Sequence, residues 1–302
     1  MGKKDIAEKL LEAYDDVFAD IVNVLLFDGE PVIAPDELVD RTPRAAYKAG
    51  GQLREMERDV LKHCTRGNIR LASLGIENQS EADRDMPLRV YGYDGAEYRA
   101  QLLKENRDRP RYPVVTLVLY FGYKKRWDKP LTLHEAANVS EAFKPFVPDF
   151  RINLFEIAYL TDAQVRRFRS DFRIVADYFV QMREKGDYTP SPERLEHVQA
   201  TLQLLSAMTQ DRRFEEAYDD NDEKGSVQNM CEVLDRIEDR GVARGMAQGI
   251  AQGIVRGEEK KAMEMAAKLH QMGMKPEDIA GVANEPVSKV RQWLGLPAVP
   301  VR

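Results

Sequence analysis

The run Ile69–Ser80, IRLASLGIENQS, constrains the fold of this chain most. Its apolar residues have a β-type pattern, and they deliver Glu77, Asn78, Gln79 and Ser80 in succession. Just upstream lies a second β-type segment, Arg58-Asp59-Val60-Leu61-Lys62, and the turn-prone Thr65-Arg66-Gly67-Asn68 separates the two. Two short strands around such a turn pair as a hairpin. Pairing would bring Asp59 and Glu77 to one edge. Residues two apart on a strand share a face, so Glu77 and Gln79 point one way and Asn78 the other. Asp59, Glu77 and Gln79 therefore form a candidate acidic site for a metal ion.

The rest of the chain divides into three parts. Residues 1–150 alternate helix and strand: a helix at Ala7–Leu25, strands near 58–64 and 69–77, a helix near 86–106 and an apolar strand at 114–121. That order fits a sheet with helices on its faces. Residues 151–235 read as a helical extension. A strand-like Phe150–Phe155 leads to Thr161-Asp162 as a helix start, with apolar periodicity through Phe168, Phe172, Val175 and Phe179. Pro190-Ser191-Pro192-Glu193 reads as the start of a further helix ending near Met208. In residues 236–302, Gly241, Gly245, Gly249, Gly253 and Gly257 recur every four residues. On a helix they would form one stripe allowing close approach of a second helix, yet each Gly costs about 1 kcal/mol relative to Ala. The stripe thus reads as a flexible or weakly helical connector, as a homodimer contact, or as a nucleic-acid contact. Beyond it, a helix Glu258–Met272 stops at Gly273, Pro276 opens a second helix and Val287–Leu294 can form a third. The whole resembles a small helix-turn-helix unit. It would either turn Ser288, Lys289, Arg291 and Gln292 to DNA or act as a packing cap.

Length and composition set bounds. At 302 residues and 43% hydrophobic, the chain can bury a sizeable core by the rough guide of 100–200 residues per domain. No apolar run approaches the ~20 residues of a membrane helix, and MGKKDIAEKL has no apolar signal core, so a cytoplasmic location off the membrane is expected. Cys64 and Cys231, the two cysteines, read as ordinary thiols. His63-Cys64 lacks a partner pair with zinc spacing. No Gly-rich phosphate loop, nucleophile elbow or kinase signature is present.

Net charge is −6, but unevenly spread: residues 236–302 hold 11 Lys and Arg against 8 Asp and Glu. Between Lys104 and Lys129 eight bases (Lys104, Arg107, Arg109, Arg111, Lys124, Lys125, Arg126 and Lys129) face three acids. They bracket the apolar strand 114–121 and would either track a phosphate backbone or form a solvated surface.

The motifs together resemble a known family. Asp59, then Glu77-x-Gln79 followed by Ser80, is similar to the acidic motif of the Rpn-type recombination-promoting nucleases and transposases, of the PD-(D/E)XK superfamily. The likeness continues through Met86-Pro87-Leu88-Arg89 with Tyr93 four residues on, through Pro113–Gly122 with Trp127 and Pro130 beyond, and through Tyr14–Phe27, where Asp16 stands at the position of the family's acid. It covers roughly residues 10–135. The resemblance implies an α/β restriction-endonuclease-like core, with a central mixed sheet flanked by helices and a helical C-terminal region, and an enzyme that cuts DNA during recombination or transposon-like mobility.

Within it, Asp59 and Glu77 are hard oxygen ligands suited to Mg2+, or Mn2+. Asp16 would add a ligand or outer acceptor, with Asp15 and Asp20 as rivals on the same helix. The superfamily's usual Glu-x-Lys is Glu-x-Gln here, so Gln79 can orient a water or phosphate but cannot bring a charge. Arg89 and Tyr93 would contact phosphate or brace the sheet, and Lys124, Lys125 and Arg126 would hold substrate. The other reading is a catalytically silent DNA-binding or oligomeric scaffold built on the same fold.

Overall fold

The computed structural model describes residues 10–41, 44–49, 52–67, 69–103, 109–218 and 227–297, with the backbone alone described at 44–49 and 52–57. The chain divides into two units, Met1–Ile237 and Glu238–Arg302.

The first unit is built on a five-stranded mixed sheet. Its strands are β1 (Leu38–Asp40), β4 (Val60–Arg66), β5 (Ile69–Gln79), β6 (Val114–Tyr120) and β7 (Asn153–Glu156), side by side in that order; β2 (Arg44–Ala49) and β3 (Gln52–Glu57) form a separate hairpin. β1, β4 and β5 pair antiparallel, then β5, β6 and β7 pair parallel. The switch follows from the connections. A tight turn joins β4 to β5, whereas α2 (Met86–Ala100) lies between β5 and β6, and a parallel pair needs such a crossover. β6 reads VVTLVLY with almost every residue buried, as expected of a strand covered on both faces.

Strand alternation sorts side chains between two layers. Val60, Cys64, Leu74, Ile76, Leu117 and Leu119 join Phe18, Phe172, Phe179, Leu202 and Leu205 in the main core. These come from α1 (Asp15–Phe27), α5 (Phe172–Lys185) and α6 (Val198–Thr209). The opposite face packs Val118 against Met86 and Val90 of α2 and against Ile152. The sheet and main core thus run past residue 150, through β7 and as far as Met230 and Val233.

Some expected boundaries move. Residues 7–9 of the N-terminal helix lie outside the described residues; within them a 3-10 turn, Leu11–Ala13, precedes α1, which ends at Phe27. α2 stops at Ala100, and 104–106 are again outside. Beyond the short α3 (Leu133–Ala136), the periodic stretch from Thr161 is broken into α4 (Asp162–Val165) and α5. At the break, Asp20 of α1 accepts the N–H groups of Arg169 and Ser170, both at 2.8 Å. Pro190–Glu193 does not open a helix, since Pro192 offers no N–H and disfavours helical geometry before it. Leu195 instead donates to the Gln228 carbonyl at 2.8 Å, and α6 starts at Val198. There Asp171 accepts from Glu196 N at 2.9 Å and His197 N at 2.6 Å.

After α7 (Arg213–Ala217), α8 (Met230–Gln271) runs unbroken through all five striped glycines and on through the helix expected to start at Glu258. Gly273, at φ 89°, ends the turn after it, and α9 (Pro276–Ala283) and α10 (Val287–Trp293) follow. Ala266, Ile279, Ala280 and Val290 make a small core in the second unit. There Lys289 pairs with Glu285 and Glu259, and Arg291 with Glu277, so the bases expected to face DNA are held in ion pairs. No helix among the described residues is long and apolar enough to cross a membrane.

Candidate metal centre

The β4–β5 ladder pairs Val60 with Ile76 and Leu61 with Gly75, so Asp59, one step earlier, comes opposite Glu77. The Asp59 Oδ2 accepts the N–H of Asn78 at 2.7 Å, which clamps an exposed carboxylate to the backbone beside Glu77. Glu77 is only 1% exposed. Its Oε2 accepts from Arg89 at 3.2 Å, and Arg89 also donates to Asp83 at 2.9 Å and lies 3.4 Å from the Tyr93 hydroxyl. Burial, then the Asp59 charge, pushes the Glu77 carboxyl up to about 7, against the opposing pull of Arg89 and Arg58. Its Oε1 is buried without a hydrogen-bond partner among the described residues. Gly75 makes room for this layer: a Cβ there would meet the Arg58 guanidinium at 2.7 Å.

A further carboxyl arrives from the other face. Asn78 points away from Glu77, as strand alternation requires, and its Nδ2 donates to Glu12 Oε1 at 2.9 Å. Glu12, in the turn ahead of α1, is fully buried, and its Oε2 also lacks a partner among the described residues. Burial raises it to about 7, helped by Asp59 and opposed by a backbone hydrogen bond. Sequence reasoning missed Glu12 because a lone Glu at a helix start is ordinary. The only signal was its place within Leu10-Leu11-Glu12-Ala13, an acid among apolar neighbours.

Asp16 is engaged elsewhere. His197 Nε2 lies 3.0 and 3.1 Å from its two oxygens, with the Tyr14 ring stacked on the imidazole at 3.8 Å. Asp15 pairs with the buried Lys62 at 2.6 Å, and Asp20 holds the α4–α5 break. Lys62 also pairs with Asp40; it projects on the α1 face, away from Glu77, and so does not stand in for the superfamily's lysine. Gln79 shares Glu77's face and is half-buried.

Arg89 and Tyr93 both gather at Glu77, where Arg89 braces the carboxylate. Lys124, Lys125 and Lys129 line a cleft of about 440 Å³ with Ser80 and Tyr123, at the C-terminal ends of β5 and β6. Gly122 is required there, because any Cβ would fall on the Tyr120 ring. Lys125 is paired with Asp128, and Arg126 with Glu156 at 2.7 Å while lying over the Tyr159 ring. Lys104 and Arg107 lie outside the described residues. Arg109 and Arg111 fall at the other end of β6, so the basic cluster is split by a strand's length.

Two places offer metal-ligating atoms. Asp16, Glu196 and His197 bring ligand atoms within 4.8 Å of one another, the group among the described residues that does so. Glu12, Asp59 and Glu77 are more open because Asn78 separates the two glutamates on opposite faces. Proximity alone favours the first, but its imidazole nitrogen is already satisfied by Asp16. At the second, Glu77 and Glu12 each keep a buried oxygen with no hydrogen-bond partner among the described residues and Asp59 is exposed, and Mg2+ commonly takes one or two carboxylates and keeps several waters. The donor set there is all oxygen, so the residues fit a hard divalent cation.

Comparison with curated proteins finds no match, and neither does comparison with solved structures. The family model described as "Putative transposase, YhgA-like" matches residues 51–211, just over half of the chain. The match spans Asp59, Glu77-x-Gln79, α2 and the cleft, on a mixed sheet flanked by helices as the nuclease fold requires. The chain therefore belongs to the YhgA-like transposase family, within the Rpn-like branch of the PD-(D/E)XK superfamily.

Proposed function

We propose that the chain is a Mg2+-dependent DNA endonuclease, with Mn2+ able to replace Mg2+, acting in the cytoplasm in recombination or transposon-like mobility. The reading rests on the carboxyls near the end of β5: Asp59 opposite Glu77 and held by the N–H of Asn78, with a buried oxygen on each of Glu77 and Glu12 that has no hydrogen-bond partner among the described residues, beside a lysine-lined cleft.

Asp59 and Glu77 would hold the ion, and Asn78 fixes both Asp59 and Glu12. A bound ion would polarise the scissile phosphate and lower the pKa of its water. Gln79, two residues beyond Glu77 on the same face, orients the attacking water or a phosphate oxygen. Arg89 holds Glu77 in place, and Lys124 and Lys125 attract the phosphates on either side of the cut.

Plasmid incubated with the full-length protein tests this. Nicking or linearisation is expected with Mg2+ or Mn2+, is stopped by chelation, and falls at least ~100-fold in Asp59→Ala and Glu77→Ala. Unchanged cleavage in both variants removes this site. Absence of cleavage with retained DNA binding would favour the non-cutting scaffold, for which Gln79 in place of lysine is the motive.

A further inference from the structure

We infer that the exposed stretch of α8 pairs with a second copy of the chain, antiparallel, about a two-fold axis passing between Gly249 and Ile250. Every residue from Gly241 to Lys261 is exposed, and so are Glu238 and Asp239. Val242, Met246, Ile250, Ile254 and Val255 are 49–65% exposed, and a Cβ added at any of the striped glycines meets nothing within 4 Å. A helix in water draws most of its stability from packing one face, and each glycine costs about 1 kcal/mol relative to Ala. A stretch of about six turns that carries all five striped glycines therefore calls for a partner, and among the described residues nothing covers it.

Size and charge both select this chain as the partner. At 3.6 residues per turn, Asp239, Val242, Met246, Gly253, Gly257 and Lys260 lie within about 30° of one line along α8, with Gly249 and Ile250 close on either side. Reversing a second copy about the midpoint of Gly249 and Ile250 brings each copy's Val242 level with the other's Gly257, and Met246 level with Gly253. Each large side chain then meets a notch. The same reversal sets Asp239 level with Lys260 at both ends, so size and charge agree on one register. A parallel copy would place Asp239 against Asp239, Lys260 against Lys260 and glycine against glycine, with like charges opposed and the notches empty. Because every contact of the reversed pair recurs across the two-fold axis, the interface is self-complementary and closes at two copies. The pairing does not depend on the nuclease reading.

Sedimentation equilibrium of the full-length chain, with the charges at the two ends exchanged, tests the pairing. A dimer is expected. Asp239→Lys alone, or Lys260→Asp alone, opposes like charges at both ends and should weaken the dimer by about tenfold. Both positions are exposed, so circular dichroism should be unchanged in either variant. Mixing the two variants sets lysine against aspartate again at both ends, and the dimer should return at wild-type strength in the mixture. Val242→Ala with Met246→Ala should also weaken it, by removing the side chains that fill the notches. A wild-type chain that stays monomeric at the highest concentration reached overturns the proposal. So does a dimer whose strength neither charge variant alters, the result a parallel pair would give.

Discussion

Glu12 and Glu77 share a neighbour, Asp59, and a cost: each is buried, each has an oxygen without a hydrogen-bond partner among the described residues, and burial pushes each up to about 7 from the ordinary 4.5. Because the folded pKa is raised, their contribution to stability is intact below about pH 4.5, where both states are protonated. It is lost as pH rises towards 7, because unfolding frees the carboxyls to ionise. At 1.36 kcal/mol per unit the loss is up to ~3 kcal/mol for each carboxyl. In chelator, urea midpoints should therefore drop between pH 5 and pH 7.5, and Glu12→Gln with Glu77→Gln should flatten the drop. Mn2+ should restore stability at pH 7.5 and do little at pH 5, since its ligands must be ionised to bind. A slope unaltered in the double variant would assign the pH dependence to other groups. Gln79 calls for a different readout. Gln79→Ala should lower turnover by about tenfold to a hundredfold, as expected from misplaced reactants, with Mn2+ affinity retained. Loss of ion affinity alone would contradict a positioning role.

Among the elements, those fixed by local pattern were legible from the amino-acid order. The turn-prone run Thr65–Asn68 and the alternation before Glu77 foretold β4 and β5, although β4 keeps Thr65 and Arg66 as strand, and the solid apolar run foretold β6. What stayed hidden is set by partners far along the chain. Nothing near Phe168 announces that Asp20 of α1 will end one helix there, and nothing near Pro190 announces that Asp171 will delay the next. Glu12 was invisible for the same reason, since its significance comes from Asn78, 66 residues later. Asp171→Ala should accordingly cost about 2–4 kcal/mol by chemical denaturation, for it strands two backbone donors of α6's approach. Asp162→Ala, at an exposed first-turn position, should cost under ~1 kcal/mol. α8 raises the opposite question. An added Cβ at any striped glycine meets nothing within 4 Å, and Val242, Met246, Ile250 and Ile254 beside them are 49–65% exposed. If a second copy packs there, Gly249→Leu with Gly253→Leu should turn dimer to monomer by light scattering while helicity rises. An unchanged mass would make the stripe a solitary helix.

At the scale of the whole molecule, the chemistry and the proposed assembly fall in different units. The acidic centre and the lysine-lined cleft lie before residue 237, whereas the striped glycines all lie after it. The first two turns of α8 belong with the chemistry: Met230 and Val233 are fully buried in the main core, and Leu234 and Ile237 pack against it. A chain ending at Ile237 keeps those contacts and should fold. On the proposed nuclease reading, one acidic centre would cut one strand at a time. The two strands of a duplex run in opposite directions, so cutting both at one place calls for two centres related by a two-fold axis, the commonest symmetry of protein pairs. The shortened chain should thus nick supercoiled plasmid in Mg2+ within about tenfold of the full-length rate, yet yield open circles where the full-length protein yields linear product. Gel analysis over a time course gives both quantities. Equal linearisation by the shortened chain would mean that pairing through α8 is not needed for double-strand cleavage. A shortened chain with native circular dichroism but no nicking would place part of the reaction in residues 238–302.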